Sequence, residues 1–363
     1  MAASLDHECA DQDRANVATK LLDWYDKHAR VLPWRAPPGS PPPEPYRVWL
    51  AEVMLQQTTT AAVAPYFAKF TARWPTVQAL AGADEGEVMA AWAGLGYYAR
   101  ARNLIACAKA VAARGGAFPA TEAELRELPG LGAYTAAAVA AIAFGQRAVV
   151  IDANVERVVA RLFAIAEPLP TARKTIRAAA TEITPDRRAG DFAQAMMDLG
   201  ATICTSRSPR CLLCPLSGDC AGRAGGEPER LPVKAAKAAR PARKGLAFWI
   251  ERDGAVWLER RTDKGMLGGM LALPDDRWSA RSDGDGGAPV VGDWRALGSV
   301  SHVFTHFSLE LQVVLVSLGD WDSLPATNGQ WWPLDRLDEA GLPTLFAKTA
   351  RLAMALRGGA EDQ

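Results

Sequence analysis

No apolar run in this 363-residue sequence reaches the roughly 20 residues that a membrane-crossing helix needs. Its first fourteen residues, MAASLDHECADQDR, are polar and partly acidic, with no apolar stretch behind them, which argues against a secretory leader. Net charge is also missing. The 41 basic side chains balance 41 acidic ones, so the chain as a whole does not advertise a polyanionic partner. Cysteine is sparse at six residues, which excludes a disulfide-dense secreted scaffold and fits a reducing cytoplasm. No internal repeat is present. With 49% hydrophobic residues, a chain of this length can bury sizeable cores in two or three domains.

Four of the six cysteines stand together, at Cys204, Cys211, Cys214 and Cys220, with no histidine nearby. Four soft ligands at such density read as a metal or cluster site. Zinc sites usually pair close-spaced couples across a longer gap, and the compressed 6-2-5 spacing here favours a 4Fe–4S cluster, with zinc and a pair of disulfides as the alternatives. Cys9 and Cys107 read as free thiols.

The neutral total hides an asymmetry. Residues 151–245 carry 16 basic and 10 acidic side chains, whereas residues 246–363 carry 11 and 17. The stretch that holds the cysteines can therefore offer a basic face to phosphates. From about residue 15 to 222 the apolar residues recur at helical spacing and alanine is abundant, which predicts an all-α region. Residues 223–245, rich in Ala, Pro and basic groups, read as an exposed linker. Beyond it, LAFWI, VWLERR and LELQVVLVSL predict strands, and a last helix starts near Pro343, so 246–363 forms a separate α+β domain.

TEAELRELPGLGAYTAAAVAAIAFG, 121–145, predicts a short helix, a glycine turn and an Ala-rich helix. Gly130 and Gly132 free the backbone for positive φ and expose N–H groups beside a helix N-terminus, a phosphate site that reads no sequence. A plain helix cap and turn is the simpler use of such glycines. Asp152 follows twenty residues after Gly132, in VVIDANVERVVARLF, where it also suits a helix N-cap. Glu52 sits in the apolar run WLAEVML, where a buried carboxylate is costly unless partnered or functional.

The LPGLG turn, the downstream Asp152, the EVMLQQT run and the cysteine loop together resemble the helix–hairpin–helix, 4Fe–4S DNA glycosylases, and within them the MutY-type adenine DNA glycosylases. The resemblance implies a multi-domain enzyme: an all-α helix–hairpin–helix catalytic region with its cluster loop, then a MutT/Nudix-like α+β domain. It implies release of adenine mispaired with 8-oxoguanine or guanine in double-stranded DNA, by a monomer in the cytoplasm or nucleoid. Glu52 would be the general acid and Asp152 the stabiliser of the sugar cation. Asn154 would hydrogen-bond in the same site and Tyr134 would orient the acidic pair. Two residues after Gly132, endonuclease III has a lysine nucleophile. Tyr134 cannot form a Schiff base, which implies a monofunctional glycosylase and argues against an endonuclease III-like pyrimidine glycosylase-lyase. A non-catalytic damage sensor on the same scaffold is the other alternative.

By the same resemblance, Trp34 and Arg35 in LPWR line the adenine pocket and Asp198 contacts the base. Gln57 and Tyr97 fill the vacated space or hold the opposite base, and Arg100 and Arg102 meet phosphate or acidic neighbours. Arg207 and Arg210 on the cysteine loop face the DNA backbone. Phe304, Thr305 and His306 occupy a Phe-Ser-His loop expected to read 8-oxoguanine, with Thr305 a departure from serine that keeps the hydroxyl. KGMLGGMLALP, 264–274, looks like a worn Nudix loop without the acidic helix that would bind magnesium, so nucleotide hydrolysis is not expected.

Overall fold

A computed structural model describes residues 16–235, 240–261, 266–304, 306–319 and 329–358. The chain divides into two compact units, Met1–Ala236 and Lys237–Gln363.

The first unit is helical, and its described residues contain no β-strand. Helices run over 16–28, Pro45–Leu55, Thr60–Arg73, Val77–Ala81, Glu85–Trp92, Tyr98–Ala113, Glu122–Leu125, Ala133–Phe144, Ala153–Leu162, Arg173–Ile183, Ala189–Thr202 and Ala221–Ala224. Short polar residues start many of them: Thr59, Thr76, Asp84, Thr121 and Asp152 each accept a hydrogen bond from the first-turn backbone. The Ala133–Phe144 helix has no polar face to show and is buried from Thr135 to Ala143, as a helix apolar all round must be. Helix Ala189–Thr202 packs close against two neighbours because it carries glycine at both contacts. A Cβ on Gly190 would come within 2.5 Å of the Ala141 carbonyl oxygen, and one on Gly200 within 2.6 Å of the Asn154 Cβ. These approaches bring the helices bearing Tyr134 and Asn154 to one place.

The segment expected as a linker is shorter than its composition suggests. Residues up to 235 belong to the helical unit: Leu231 accepts from Arg161 Nε at 3.0 Å, and Val233 accepts from the Leu169 amide at 2.8 Å. The first strand then begins at Ala242, inside the expected linker. Both groups are carbonyl acceptors, which every residue including proline carries, so a Pro- and Lys-rich composition does not prevent this pairing.

The second unit holds β1 Ala242–Arg252, β2 Ala255–Arg260, β3 Leu271–Ala272, β4 Arg295–Val303, β5 Ser308–Ser317 and β6 Gly329–Pro333. The sheet order is β3-β2-β1-β5-β4, with β6 also paired to β2. Among the described strands only β1 and β5 run parallel, in register from Ala242 against Ser308 to Glu251 against Ser317. The sheet is mixed and buried on both faces. Trp249, Leu311 and Phe346 pack on one side, and Phe248, Ile250 and Val314 on the other. This explains why LAFWI is continuously apolar rather than alternating. Helix Thr344–Leu356 begins one residue after Pro343, as expected, and covers β4. No helix occurs over 275–292, where a magnesium-binding Nudix helix would stand. Lys264 and Gly265 of the worn loop lie outside the described residues.

Candidate active site

Three helices of the first unit bring the expected catalytic groups to one cavity of about 1110 Å3, whose lining includes Glu52, Tyr134, Asp152 and Asn154. Glu52 lies in the Pro45–Leu55 helix and is 5% exposed. Tyr134, in the first turn of the Ala133–Phe144 helix, donates its hydroxyl to Glu52 Oε2 at 2.8 Å. Burial raises the Glu52 carboxyl to about 6, opposed by the Tyr134 hydrogen bond and the Arg35 charge and assisted by the Asp152 charge. Burial, with the Glu52 and Asp152 charges, lifts the Tyr134 hydroxyl well above its ordinary value, so it stays a donor.

Asp152 caps the Ala153–Leu162 helix. Its Oδ1 accepts from the amides of Asn154 at 2.9 Å and Val155 at 2.7 Å, and its Oδ2 accepts from Asn154 Nδ2 at 2.8 Å. The cap does not take Asp152 away from the cavity, because the helix N-terminus fixes the carboxylate beside it. Asn154 is held in turn by Arg157, whose Nη2 donates to Asn154 Oδ1 at 2.9 Å and to the Gly200 carbonyl at 2.7 Å. Arg157 Nε reaches the Cys204 carbonyl at 2.7 Å. Sequence reasoning missed Arg157, although its position three residues after Asn154 on the same helix face was the available signal.

Trp34 and Arg35 line the cavity as expected, and so does Arg30, which sequence reasoning also missed. Asp198 is not among the lining residues. It is fully buried behind the cavity wall, and both its oxygens are taken. Oδ1 accepts from Arg30 Nε at 2.6 Å, while Oδ2 accepts from the Arg30 amide at 3.0 Å and from Arg35 Nη1 at 2.7 Å. A buried carboxylate needs cationic partners, and here it holds two arginines that line the cavity.

Gly130 has φ 76°, and a Cβ there would meet the Asn103 Cβ at 2.7 Å, so glycine is required. Gly132 departs from expectation: at φ −77° it is ordinary extended backbone, and a Cβ would meet open space. Its place is the side-chain-free cap of the Ala133–Phe144 helix, which leaves the N-terminal amides uncovered. Gln57 and Tyr97 are both exposed, and only Gln57 lines the cavity. Arg100 is another correction. It is buried and donates to backbone carbonyls, not to phosphate or acidic groups. Arg102, Arg207 and Arg210 are exposed.

The cysteines fit a cluster. All four are unpaired and half-buried. Burial pushes the Cys214 thiol up to about 11, against a hydrogen bond from the Leu216 backbone, with Cys204, Cys220 and Cys211 adding their charges. Arg161 Nη1 donates to Cys204 Sγ at 3.3 Å. Among the described residues no three His, Cys, Asp or Glu side chains converge tightly enough for one ion. The charges of Cys204, Cys220 and Cys211 all act on Cys214, so the four thiols sit together, as a group in which each thiolate takes a different iron requires.

In the second unit, Phe304 is half-buried, stacked on Phe307 with centroids 4.7 Å apart and edge-on to His302 at 4.6 Å. It therefore anchors the loop, while His306 is exposed at the tip. Thr305 lies outside the described residues.

Comparison with known proteins agrees with this geometry. A family model described as "HhH-GPD superfamily base excision DNA repair protein" matches residues 50–185, one for the "iron-sulfur binding domain of endonuclease III" matches 204–220, and one for a NUDIX domain matches 246–352. The four cysteines thus bind a 4Fe–4S cluster, and the fold is a helix–hairpin–helix domain followed by a Nudix domain. A thermostable thymine-DNA glycosylase structure is 29% identical with TM-score 0.53, over 59% of this chain and 98% of that one. The adenine DNA glycosylase of Mycolicibacterium smegmatis is 37% identical, over 75% of this chain and 98% of that protein. The human adenine DNA glycosylase is 33% identical, over 93% of this chain and 74% of that protein. With a buried glutamate and a capped aspartate on one cavity, a cluster loop, and relatives matched over most of their length, the chain belongs to the adenine DNA glycosylases.

Proposed function

We propose that this protein removes adenine mispaired with 8-oxoguanine, and with guanine, from double-stranded DNA, as a monofunctional glycosylase acting as a monomer in the cytoplasm or nucleoid. No helix among the described residues is long and apolar enough to cross a membrane. The observation that carries the reading is the pairing of a buried Glu52, lifted to about 6, with an Asp152 fixed across the same cavity.

Adenine is a poor leaving group as an anion, so its departure needs a proton on a ring nitrogen. Glu52 supplies that proton as the glycosidic C–N bond breaks and its electron pair moves to the base. The sugar approaches an oxocarbenium ion, which the Asp152 carboxylate stabilises. Water then adds to the anomeric carbon and loses its proton to the Glu52 carboxylate, which restores the acid. The adenine must leave the stack to reach these groups, and the Arg30–Arg35–Asp198 clamp with Trp34 shapes the pocket that receives it. Tyr134 orients Glu52 and, lacking an amine, opens no lyase route. The uncovered amides beside Gly130 and Gly132 suit a DNA phosphate, and exposed Arg207 and Arg210 suit others. The 4Fe–4S cluster supplies a structural cross-link for the loop on which those arginines stand. In the second unit, exposed His306, next to the Phe304 anchor, reads 8-oxoguanine together with Thr305.

The test is base release from matched duplexes carrying adenine opposite 8-oxoguanine, adenine opposite guanine, or thymine glycol, followed by alkali. Adenine release with strand breaks only after alkali supports the reading. Removal of thymine glycol with spontaneous breaks would replace it by a pyrimidine glycosylase-lyase, and no release of any base would leave a damage sensor.

A further inference from the structure

Trp34 forms one wall of the cavity that holds Glu52, and it is only 5% exposed. It stands in a tight turn, closed by the Arg35 amide donating to the Leu32 carbonyl at 3.0 Å. One flank of that turn is anchored by Arg35, whose Nη1 donates to the buried Asp198. The other flank is held by Arg47, which does not line the cavity. Arg47 is half-buried in the first turn of the Pro45–Leu55 helix, the helix that also carries Glu52.

Two contacts of Arg47 bear on Trp34. Its Nη2 donates to the Pro33 carbonyl at 2.9 Å. That carbonyl shares a rigid peptide plane with the Trp34 nitrogen, so holding the oxygen holds the plane from which the indole projects. The Arg47 guanidinium also lies over the Phe67 ring, 5.0 Å from its centroid. Phe67 is fully buried and meets Trp34 edge-on, with centroids 5.5 Å apart and ring planes at 70°. Edge-on pairs and cation–ring contacts are directional, so the ring on which Trp34 leans is held as well. Asp198 fixes the turn from the Ala189–Thr202 helix; Arg47 fixes it from the acid's own helix.

We propose that Arg47 is a positioning residue that fixes the Trp34 wall relative to Glu52, and so sets where the departing adenine sits when it is protonated. The proposal rests on the glycosylase reading above. Arg47 touches neither base nor sugar and acts only through Trp34. The reason for such a brace is geometric: a proton passes only over hydrogen-bond distance, and a base displaced along its wall receives it more slowly.

The test uses the full-length protein. Arg47→Met keeps the alkyl stem but loses the charge and the donors, whereas Arg47→Lys keeps a charge and a donor without the fork. Single-turnover release of adenine opposite 8-oxoguanine gives the rate at saturating protein and the protein concentration at half-saturation. Arg47→Met should slow the saturated rate about tenfold and leave half-saturation within about twofold. Arg47→Lys should recover part of the loss, to about threefold below wild type. The melting temperature and the pH profile should stay in place, since the charges that act on Glu52 are those of Arg35 and Asp152, not Arg47.

A second readout needs no activity. In protein labelled with fluorotryptophan, the fluorine NMR signal that disappears in Trp34→Phe belongs to Trp34, one of 12 tryptophans. Arg47→Met should move that signal by more than its line width. An unmoved signal overturns the proposal, and so does an unchanged rate. A loss that only follows a lower melting temperature or weaker half-saturation also overturns it, as does a displaced pH profile, which would make Arg47 act on the Glu52 charge instead. If the signal moves but the wild type releases no adenine, the functional reading fails and the brace stands.

Discussion

Replacing Glu52 with glutamine should make the protein more stable and almost inactive, and the two effects have one cause. A carboxyl raised from 4.5 to about 6 by burial favours its protonated form in the folded chain by about 2 kcal/mol. That contribution is fully present below pH 4.5 and is lost as the pH rises through about 6, where the folded protein must carry a buried anion. Glutamine stays neutral throughout and can still accept from the Tyr134 hydroxyl. Relative to wild type, Glu52→Gln should therefore gain about 2 kcal/mol between about pH 4 and about pH 8, measured by chemical denaturation at both. The same variant cannot protonate adenine. Single-turnover release at saturating enzyme should fall about 10²- to 10⁴-fold, the usual worth of a general acid. In the wild type that rate should decline as pH rises above about 6, because the acid form is depleted. A variant that released adenine within about threefold of wild type, or whose stability difference did not change with pH, would refute the assignment of Glu52 as a buried acid.

Tyr134→Phe removes the hydroxyl that holds the Glu52 carboxyl down, so the fall in rate should move to higher pH, read from the pH profile of single-turnover release. Asp198→Asn leaves Arg30 and Arg35 without their shared anion and should cost about 3–5 kcal/mol in denaturation, with weaker adenine release, since breaking a buried pair strands its partners. Cys211→Ser should lower the yield of folded protein and bleach the visible absorbance of the cluster before it changes chemistry; a folded, active, colourless variant would contradict a structural cluster. Duplex binding should weaken steeply with salt, by a factor set by about 0.9 per phosphate contact in a log–log plot, and a flat response would argue against a phosphate-dominated interface.

Much of the molecule was legible in the sequence because its signals are local. Alanine-rich periodicity and the Asp152 helix start act over a few residues, and each appears in the structure where the pattern placed it. Asp152 and Asn154 are neighbours on one helix start, so their mutual hydrogen bonds follow from spacing alone. The glycine turn was legible too, though only Gly130 uses the left-handed backbone; Gly132 serves by lacking a side chain.

The rest depends on contacts between distant segments. Glu52 and Tyr134 are 82 residues apart, and nothing local to Glu52 distinguishes a buried acid from an exposed helix glutamate. Asp198 reads as a base contact until Arg30 and Arg35, 168 and 163 residues away, are seen to occupy its oxygens. Arg100 reads as a phosphate ligand because arginine is usually exposed, and only the meeting of two helix ends supplies the carbonyls that bury it. The sequence by itself determined which helices form, where the cluster binds and which residue types carry the chemistry, because propensity, capping and ligand spacing are short-range. Tertiary structure alone decided which charges are buried and what each of them faces, because burial and partner geometry exist only once remote segments pack together.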